Sequence, residues 1–365
     1  MLEKRVLFII NGLGLGNSTR CSAVIHELFV AGCKIDVVSS ANGFSYFKNS
    51  AEIGELFSFQ ALLYGKANGK LSIIKTLLNL PKLSLLFIKN CIFLHSLLKK
   101  KEYAAVVFDS DYSVASLFWL SRRPLLIAIN NARIVIEECK KLRALPRNIL
   151  LQYWVEKLDN LFHLLIPDIV ICPIFKKNEN TAHSRIKYTT PIIRSGLTAG
   201  NRKKEVQNIL IMLSGSQFGS DISFLKKLPE LSGVEINVIG KDGESGGKIR
   251  FFGKVYDNRN LIKAADMLVI NAGFSAISEA IVLKKPAVVI PIENHAEQLI
   301  NSLLFEKYGL GLLATQENAH EKISELLESF EKFSEAHLKF NSTADGAPAA
   351  AEFVAEAIWE NAAQS

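Results

Sequence analysis

The stretch Ala265 to Gly311 leaves this chain few folds to choose from. It opens on a short apolar run, Met267 to Ile270, with the length and composition of a strand buried on both faces. Asn271-Ala272-Gly273 turns the chain, and Ser275 to Leu283 then has helical spacing, with Ile277, Ala280, Ile281 and Leu283 apolar. Lys284-Lys285-Pro286 closes that helix, because cations suit a helix C-terminus and proline drives the residue before it out of the helical region. Ala287 to Ile290 reads as a second buried strand, Pro291 to His295 as a loop, and Glu297 to Lys307 as another helix. Strand, helix, strand, helix demands a parallel sheet. Ligands of such sheets bind beyond the strand C-termini, where both loops lie.

Those loops carry the polar residues. Asn271 to Ser275 opens a helix N-terminus with a glycine, an arrangement that lets a phosphate approach backbone N–H groups. Glu279 lies one turn into the helix, too deep for a cap and suitably placed for a ribose diol. Glu297, Gln298 and Asn301 stand at i, i+1 and i+4, so two of them share a face. A carboxylate and an amide suit sugar hydroxyls, one as acceptor and one as a two-way partner. The same residues also suit an ordinary βαβ unit with solvated polar loops. Taken in order, Gly273, Ser275, Glu279, Pro286, Pro291, the Glu297-Gln298 pair and Asn301 resemble the donor-sugar signature of GT-B glycosyltransferases, and among them the MurG-like transferases. The resemblance implies that Glu279 holds the ribose, that Glu297 and Gln298 hold the sugar, and that the Gly273 turn meets the diphosphate.

The first half has its own loop. Arg5 to Ile10 is a buried strand running into Gly12, Gly14, Gly16 and Asn17, and a helix follows with Cys21, Val24, Ile25 and Leu28 on its apolar side. Strand, glycine loop and helix form an anion-binding arrangement. A dinucleotide fold would need an acid at the tip of the second strand, Lys34 to Ser39; the tip is Ser39-Ser40, and Asp36 sits mid-strand. The loop resembles instead the acceptor-side glycine loop of the MurG-like transferases, which implies that Gly14, Gly16 and Asn17 meet the acceptor. Many relatives have histidine where Asn17 stands. Asparagine positions a hydroxyl but cannot take its proton, so a base must come from elsewhere or Asn17 only binds.

Ala104 to Phe108 reads as a strand delivering Asp109-Ser110-Asp111 to a loop before a helix from Ser113. The D-x-D spacing suits a metal pair, but the resemblance implies a fold that generally works without metal. Asp109 and Asp111 are therefore candidates for the missing base, with an N-cap of the next helix as the equally weighted alternative for Asp111. Asp168 to Cys172 reads as the last strand of the first domain.

Charge separates the halves. Residues 1–150 hold 20 Lys+Arg against 10 Asp+Glu, and the remaining 23 and 26 fall in 151–365. From Lys66 to Lys101 there are eight lysines and no acid, among Leu, Ile and Phe, with Pro81 expected to divide two amphipathic helices. That is the composition of an interfacial helix on an anionic membrane, or of a domain helix with a solvated lysine side. No apolar run is expected to span a membrane, and Met1 to Ile10 is too short and strand-like for a signal peptide. Five scattered cysteines with no metal spacing read as reduced thiols of a cytoplasmic protein.

Ser195 to Glu205 is small and polar and reads as a linker. Asn208 to Leu213 is a strand leading to a second glycine-and-serine loop, where Gly215, Ser216 and Gln217 resemble the donor-diphosphate loop of the same family. The expectation is an α/β protein of two Rossmann-like domains facing across a cleft: an acceptor-side domain over 1–197, a linker at 198–206, a nucleotide-sugar domain over 207–345, and a terminal helix over 346–365 returning to the first. The resemblance implies a metal-independent glycosyltransferase with a nucleotide-diphosphate sugar, UDP-sugar first, as co-substrate and no other cofactor. Its acceptor would be a sugar or a lipid-linked hydroxyl, its place the cytoplasm or the inner face of the plasma membrane; no nucleic-acid partner is expected. A nucleotide-sugar hydrolase or 2-epimerase on the same scaffold, or a catalytically silent nucleotide-sugar-binding protein, are the alternatives.

Overall fold

The computed structural model describes residues 4–60, 66–67, 70–71, 78–120, 122–142, 145–176, 185–200, 203–213, 222–228, 233–255, 257–340 and 344–364. The chain divides into two units, Met1–Arg133 with Lys157–Ser195 and Gly346–Ser365, and Ile134–Glu156 with Gly196–Asp345. Each unit is built on a parallel sheet.

In the first unit the strands are β1 (Arg5–Ile10), β2 (Lys34–Ser39), β3 (Glu55–Ser58), a separate antiparallel pair β4 (Lys66–Ala67) and β5 (Lys70–Leu71), then β6 (Ala105–Asp109), β7 (Leu125–Ile129), β8 (Ile169–Pro173) and β9 (Ile186–Thr189). The main sheet runs β3-β2-β1-β6-β7-β8-β9. Val6 to Ile10 are all buried, as expected of a strand covered on both faces. Val24, Ile25 and Leu28 of the helix Leu15–Val30 pack with Val6, Phe8 and Ile10. Ala350, Val354 and Ile358 of the terminal helix Ala347–Gln364 join the same core. Gly346 starts that helix where a Cβ would come 2.1 Å from the carbonyl oxygen of Thr190.

The second unit has β10 (Asn208–Met212), β11 (Glu235–Ile239), β12 (Ile249–Phe251), β13 (Met267–Asn271), β14 (Ala287–Ile290) and β15 (Gly311–Leu313). Their order is β12-β11-β10-β13-β14-β15. Ile209, Ile211, Val269, Val288 and Ile290 meet Ile323, Leu326 and Phe330 from the helices that follow.

Several expectations need correction. Asp168 to Cys172 does not contain the last strand of the first sheet, because β9 pairs outside β8; its sequence IKYT lacks the continuous apolar run that marks the other buried strands. The helix expected from Ser113 is a five-residue 3-10 turn, Ser113–Leu117. Pro81 lies in the first turn of Leu80–Lys100, where its missing N–H costs nothing. The helix expected before it falls largely outside the described residues. Leu80–Lys100 has 21 residues and is long and apolar enough, by length and composition alone, to cross a membrane. Lys89 is the one formal charge between Leu83 and Leu98, which is how the run passes that test. Its inner side is nevertheless held by the domain: Leu94 and Leu97 are buried, Asn90 donates to the Gln60 carbonyl at 3.1 Å, and Phe93 meets Phe57 and Phe59. The segment Ile134–Glu156, read from sequence as part of 1–197, counts with the second unit.

Candidate functional site

In each sheet the strand order reverses once, between β1 and β6 in the first and between β10 and β13 in the second. Loops leaving such adjacent strands part to opposite sides and open a crevice at the strand C-termini. An asparagine ties the two loops at each reversal. Asn11, after β1, donates through Nδ2 to the Ser110 carbonyl after β6 at 3.1 Å. Asn271, ending β13, donates to the Leu213 carbonyl after β10 at 3.0 Å.

The first crevice holds the acceptor-side candidates. Gly12 is glycine for packing, since a Cβ would meet the Ser40 carbonyl oxygen at 1.8 Å, and its N–H is already given to Ser40 Oγ. Gly14 is the N-cap of Leu15–Val30, with no side-chain cap, and Gly16 lies in the first turn. Asn17 is held by a residue that sequence reasoning missed. Arg20, one turn on, donates from Nη2 to Asn17 Oδ1 at 3.3 Å. The same guanidinium binds Asp109 Oδ2 through Nε at 3.0 Å and Nη2 at 2.7 Å. The only local sign was a charge beside Cys21 on a helix whose next turns are apolar.

Asp109 is fully buried and committed to Arg20, with Ser110 Oγ on its other oxygen. It is not placed to accept a proton from a bound alcohol. Asp111 receives the Ser113 N–H at 2.8 Å and the Ser113 hydroxyl, so it holds the start of the 3-10 turn from one residue before the N-cap, Tyr112. It also lines a small recess with Asn11, Ser40, Gln60, Ser110 and Tyr112. Burial pushes its carboxyl above the ordinary range, against the Ser113 hydrogen bonds and the nearby His163. Asp109 and Asp111 thus answer to different partners. Among the described residues no three His, Cys, Asp or Glu side chains gather in the geometry of a metal site.

At the second crevice Gly273 is the N-cap of Phe274–Val282, again without a side-chain cap, at φ −64° and ψ 139°. Any residue adopts that backbone, and a Cβ there would meet nothing within 4 Å. Ser275 lies in the helix's first turn, and Glu279 is buried one turn further in. Glu297 and Asn301 do share a face of the helix Ala296–Lys307, with Asn301 Nδ2 3.5 Å from Glu297 Oε1. Asn301 is wholly buried and also donates to the Ala272 carbonyl at 3.1 Å, so it ties this helix to the glycine turn. Gln298 accepts the Ile292 N–H at 3.0 Å and so closes the loop before its own helix. Gly215, Ser216 and Gln217 lie outside the described residues.

Two further residues were missed. Glu156 Oε2 accepts the Glu297 N–H at 2.6 Å, and its Oε1 lies 3.3 Å from His295 Nδ1. Burial alone would lower the His295 pKa, but the Glu156 carboxylate, with help from Glu297, raises it. Nothing local could reveal a partner 141 positions away.

Comparison with known proteins agrees with this architecture. A family model described as glycosyl transferase family 1 matches residues 4–330. An uncharacterised glycosyltransferase of Methanosarcina acetivorans is 24% identical over 351 residues, covering 88% of this chain and 89% of that protein. The UDP-N-acetylglucosamine–N-acetylmuramyl-(pentapeptide) pyrophosphoryl-undecaprenol N-acetylglucosamine transferase 3 of Bacillus cereus is 25% identical over 255 residues, covering 63% and 65%. The crystal structure of Acinetobacter baumannii MurG superposes with a TM-score of 0.63 at 16% identity, covering 97% of this chain and 99% of that one. The chain belongs to glycosyl transferase family 1 and is a glycosyltransferase of the GT-B fold, with two parallel-sheet α/β domains.

Proposed function

We propose that the protein moves a sugar from a nucleotide-diphosphate donor, a UDP-sugar in the first instance, to a hydroxyl of a lipid-linked or glycan acceptor. The observation that carries this is Gly273. Neither its backbone angles nor its packing requires glycine, and at a strand reversal it heads a helix that its own position gives no side-chain cap. A diphosphate approaching the N–H groups of that first turn supplies the missing reason. The B. cereus relative, by its name, uses a UDP-sugar and a pyrophosphoryl-undecaprenol acceptor, which favours the same classes here.

In this reading the Gly273–Ser275 turn and the Gly215–Gln217 loop hold the donor diphosphate, Glu279 the ribose, and Glu297 with Gln298 the sugar. Asp111 is the base: it takes the acceptor hydroxyl's proton, the oxygen attacks the anomeric carbon, and the bond from that carbon to the phosphate oxygen breaks. The raised pKa makes Asp111 a stronger base than an ordinary carboxylate. Asn17, its amide oxygen held by Arg20, positions the acceptor. Charge building on the leaving diphosphate is met by backbone N–H groups and not by a metal, at about 3–4 kcal/mol of transition-state stabilisation per well-placed donor.

The acceptor class goes with a surface of the first unit. Leu85, Ile88 and Ile92 stand exposed along one side of Leu80–Lys100 with Lys82, Lys89 and Lys99 also exposed. The Ser113–Leu117 turn packs on the same helix through Ser116 and His95, and Phe118 and Trp119 follow it, Trp119 at 85% exposure. Apolar and aromatic side chains bordered by lysine suit the interface of an anionic bilayer. The enzyme accordingly works as a peripheral protein on the inner face of the plasma membrane. Calorimetric titration with UDP-, dTDP- and GDP-sugars tests the donor assignment. Saturable binding of a nucleotide sugar is expected, and binding of none would overturn it.

A further inference from the structure

The helix Ala296–Lys307 begins at His295 with no cap from its own side chains. Its first-turn N–H at Glu297 is taken by the Glu156 carboxylate at 2.6 Å, in the place where a capping oxygen normally sits. A negative charge is also what a helix N-terminus favours. The other Glu156 oxygen accepts from Gln152 Nε2 at 3.3 Å and lies 3.3 Å from His295 Nδ1, so both oxygens are engaged. On the inner side the loop is closed twice, by Gln298 on the Ile292 N–H and by the Ile292 carbonyl on the His295 N–H at 3.2 Å. Asn294 between them is left-handed at φ 59°, a conformation that asparagine tolerates and that shapes the turn.

We propose that Glu156 is a positioning residue for the donor sugar, fixing the first turn of Ala296–Lys307 from which Glu297 and Gln298 reach the substrate. This rests on the reading of that turn as the sugar site. The nucleoside diphosphate is held elsewhere, on the Phe274–Val282 turn, so the effect of Glu156 is confined to the sugar. The carboxylates acting on His295 are Glu156, from the helix Leu150–Leu165, and Glu297, from its own helix. The Glu156 carboxylate raises the His295 pKa, so the clamp weakens as pH climbs through that raised value.

The test compares Glu156→Ala and Glu156→Gln with wild type. UDP-N-acetylglucosamine, UDP-glucose, dTDP-glucose and GDP-mannose are each titrated beside the matching nucleoside diphosphate, from pH 6 to pH 9. Glu156→Ala is expected to weaken the bound nucleotide sugar about tenfold and the nucleoside diphosphate less than about twofold. Glu156→Gln keeps an oxygen for the Glu297 N–H, so it restores affinity to within about threefold while losing the wild-type weakening at high pH. Hydrogen exchange at 292–298, but not at 274–282, should quicken in Glu156→Ala. Unchanged sugar affinity, or an equal loss for sugar and diphosphate, overturns the inference and leaves the donor reading standing. If wild type binds none of the four sugars, the donor reading fails and this inference with it.

Discussion

Arg20 grips the Asp109 carboxylate with two guanidinium nitrogens, Nε at 3.0 Å and Nη2 at 2.7 Å, and both side chains are buried. Asp109 ends β6 and Arg20 sits in the second turn of the helix after β1, so the pair joins the two strands at which the first sheet reverses. Removing one partner strands the other charge in the core. Arg20→Ala should destabilise the first unit by about 3–5 kcal/mol, and adding Asp109→Asn should recover part of the loss. Urea unfolding followed in that unit checks this; a loss below about 1 kcal/mol would mean that the pair is solvated in solution.

The same pair separates the two aspartates by function. Asp111→Asn should lower kcat by about 10²–10⁴-fold, the usual range for a lost general base, and leave donor affinity as it was. Asp109→Asn should affect stability more than kcat. A base works only when deprotonated, so activity should fall as pH drops through the raised Asp111 pKa, above the ordinary carboxylate value of about 3.9. That acid limb should vanish in Asp111→Asn. A limb that persists in the variant's residual activity would assign the base to another group.

Glu279 is buried one turn beyond Gly273. Glu279→Ala should weaken free nucleoside diphosphate by about 1.5–3 kcal/mol, the range for a hydrogen bond to a charged group. Titration of the diphosphate alone reads this, and unchanged affinity would remove Glu279 from the ribose.

Membrane contact is tested on lysines that have no structural duty. Lys101 is unsuitable, because it pairs with Glu55 and with Asp36, which also holds Arg5 and Tyr103. Lys82, Lys89 and Lys99 are exposed on Leu80–Lys100. Changing all three to Glu should cost roughly 1 kcal/mol each in binding to phosphatidylserine vesicles, and wild-type binding should weaken with salt. A wild type that ignores such vesicles at low salt would point to a soluble acceptor.

The Ala265–Gly311 unit was legible because each segment carried its own period. The helix expected over Ser275 to Leu283 lies at Phe274–Val282, a shift of one residue at each end. β9 was not legible because IKYT lacks the continuous apolar run that marked β14, a strand of the same length. Placement was legible where it is local, as with Gly273 at the helix start and Glu279 buried one turn in, and illegible where the fold supplies the partner. Asn17 read as a lone substitution until Arg20 and Asp109 closed around it. Glu297 and Gln298 read as sugar ligands, but Glu156 and the Ile292 backbone that hold their turn could not be paired with them from spacing alone.

The central claim is acceptor-dependent transfer from a nucleotide sugar, and the release of nucleoside diphosphate measures it most directly. Purified protein is supplied with the nucleotide sugar it binds, with and without undecaprenyl-pyrophosphoryl glycan acceptors, in excess chelator. Release that requires the acceptor and continues in chelator is the predicted result. Release at the same rate without acceptor would make the protein a hydrolase, and release abolished by chelator and restored by Mg²⁺ would contradict the metal-independent account.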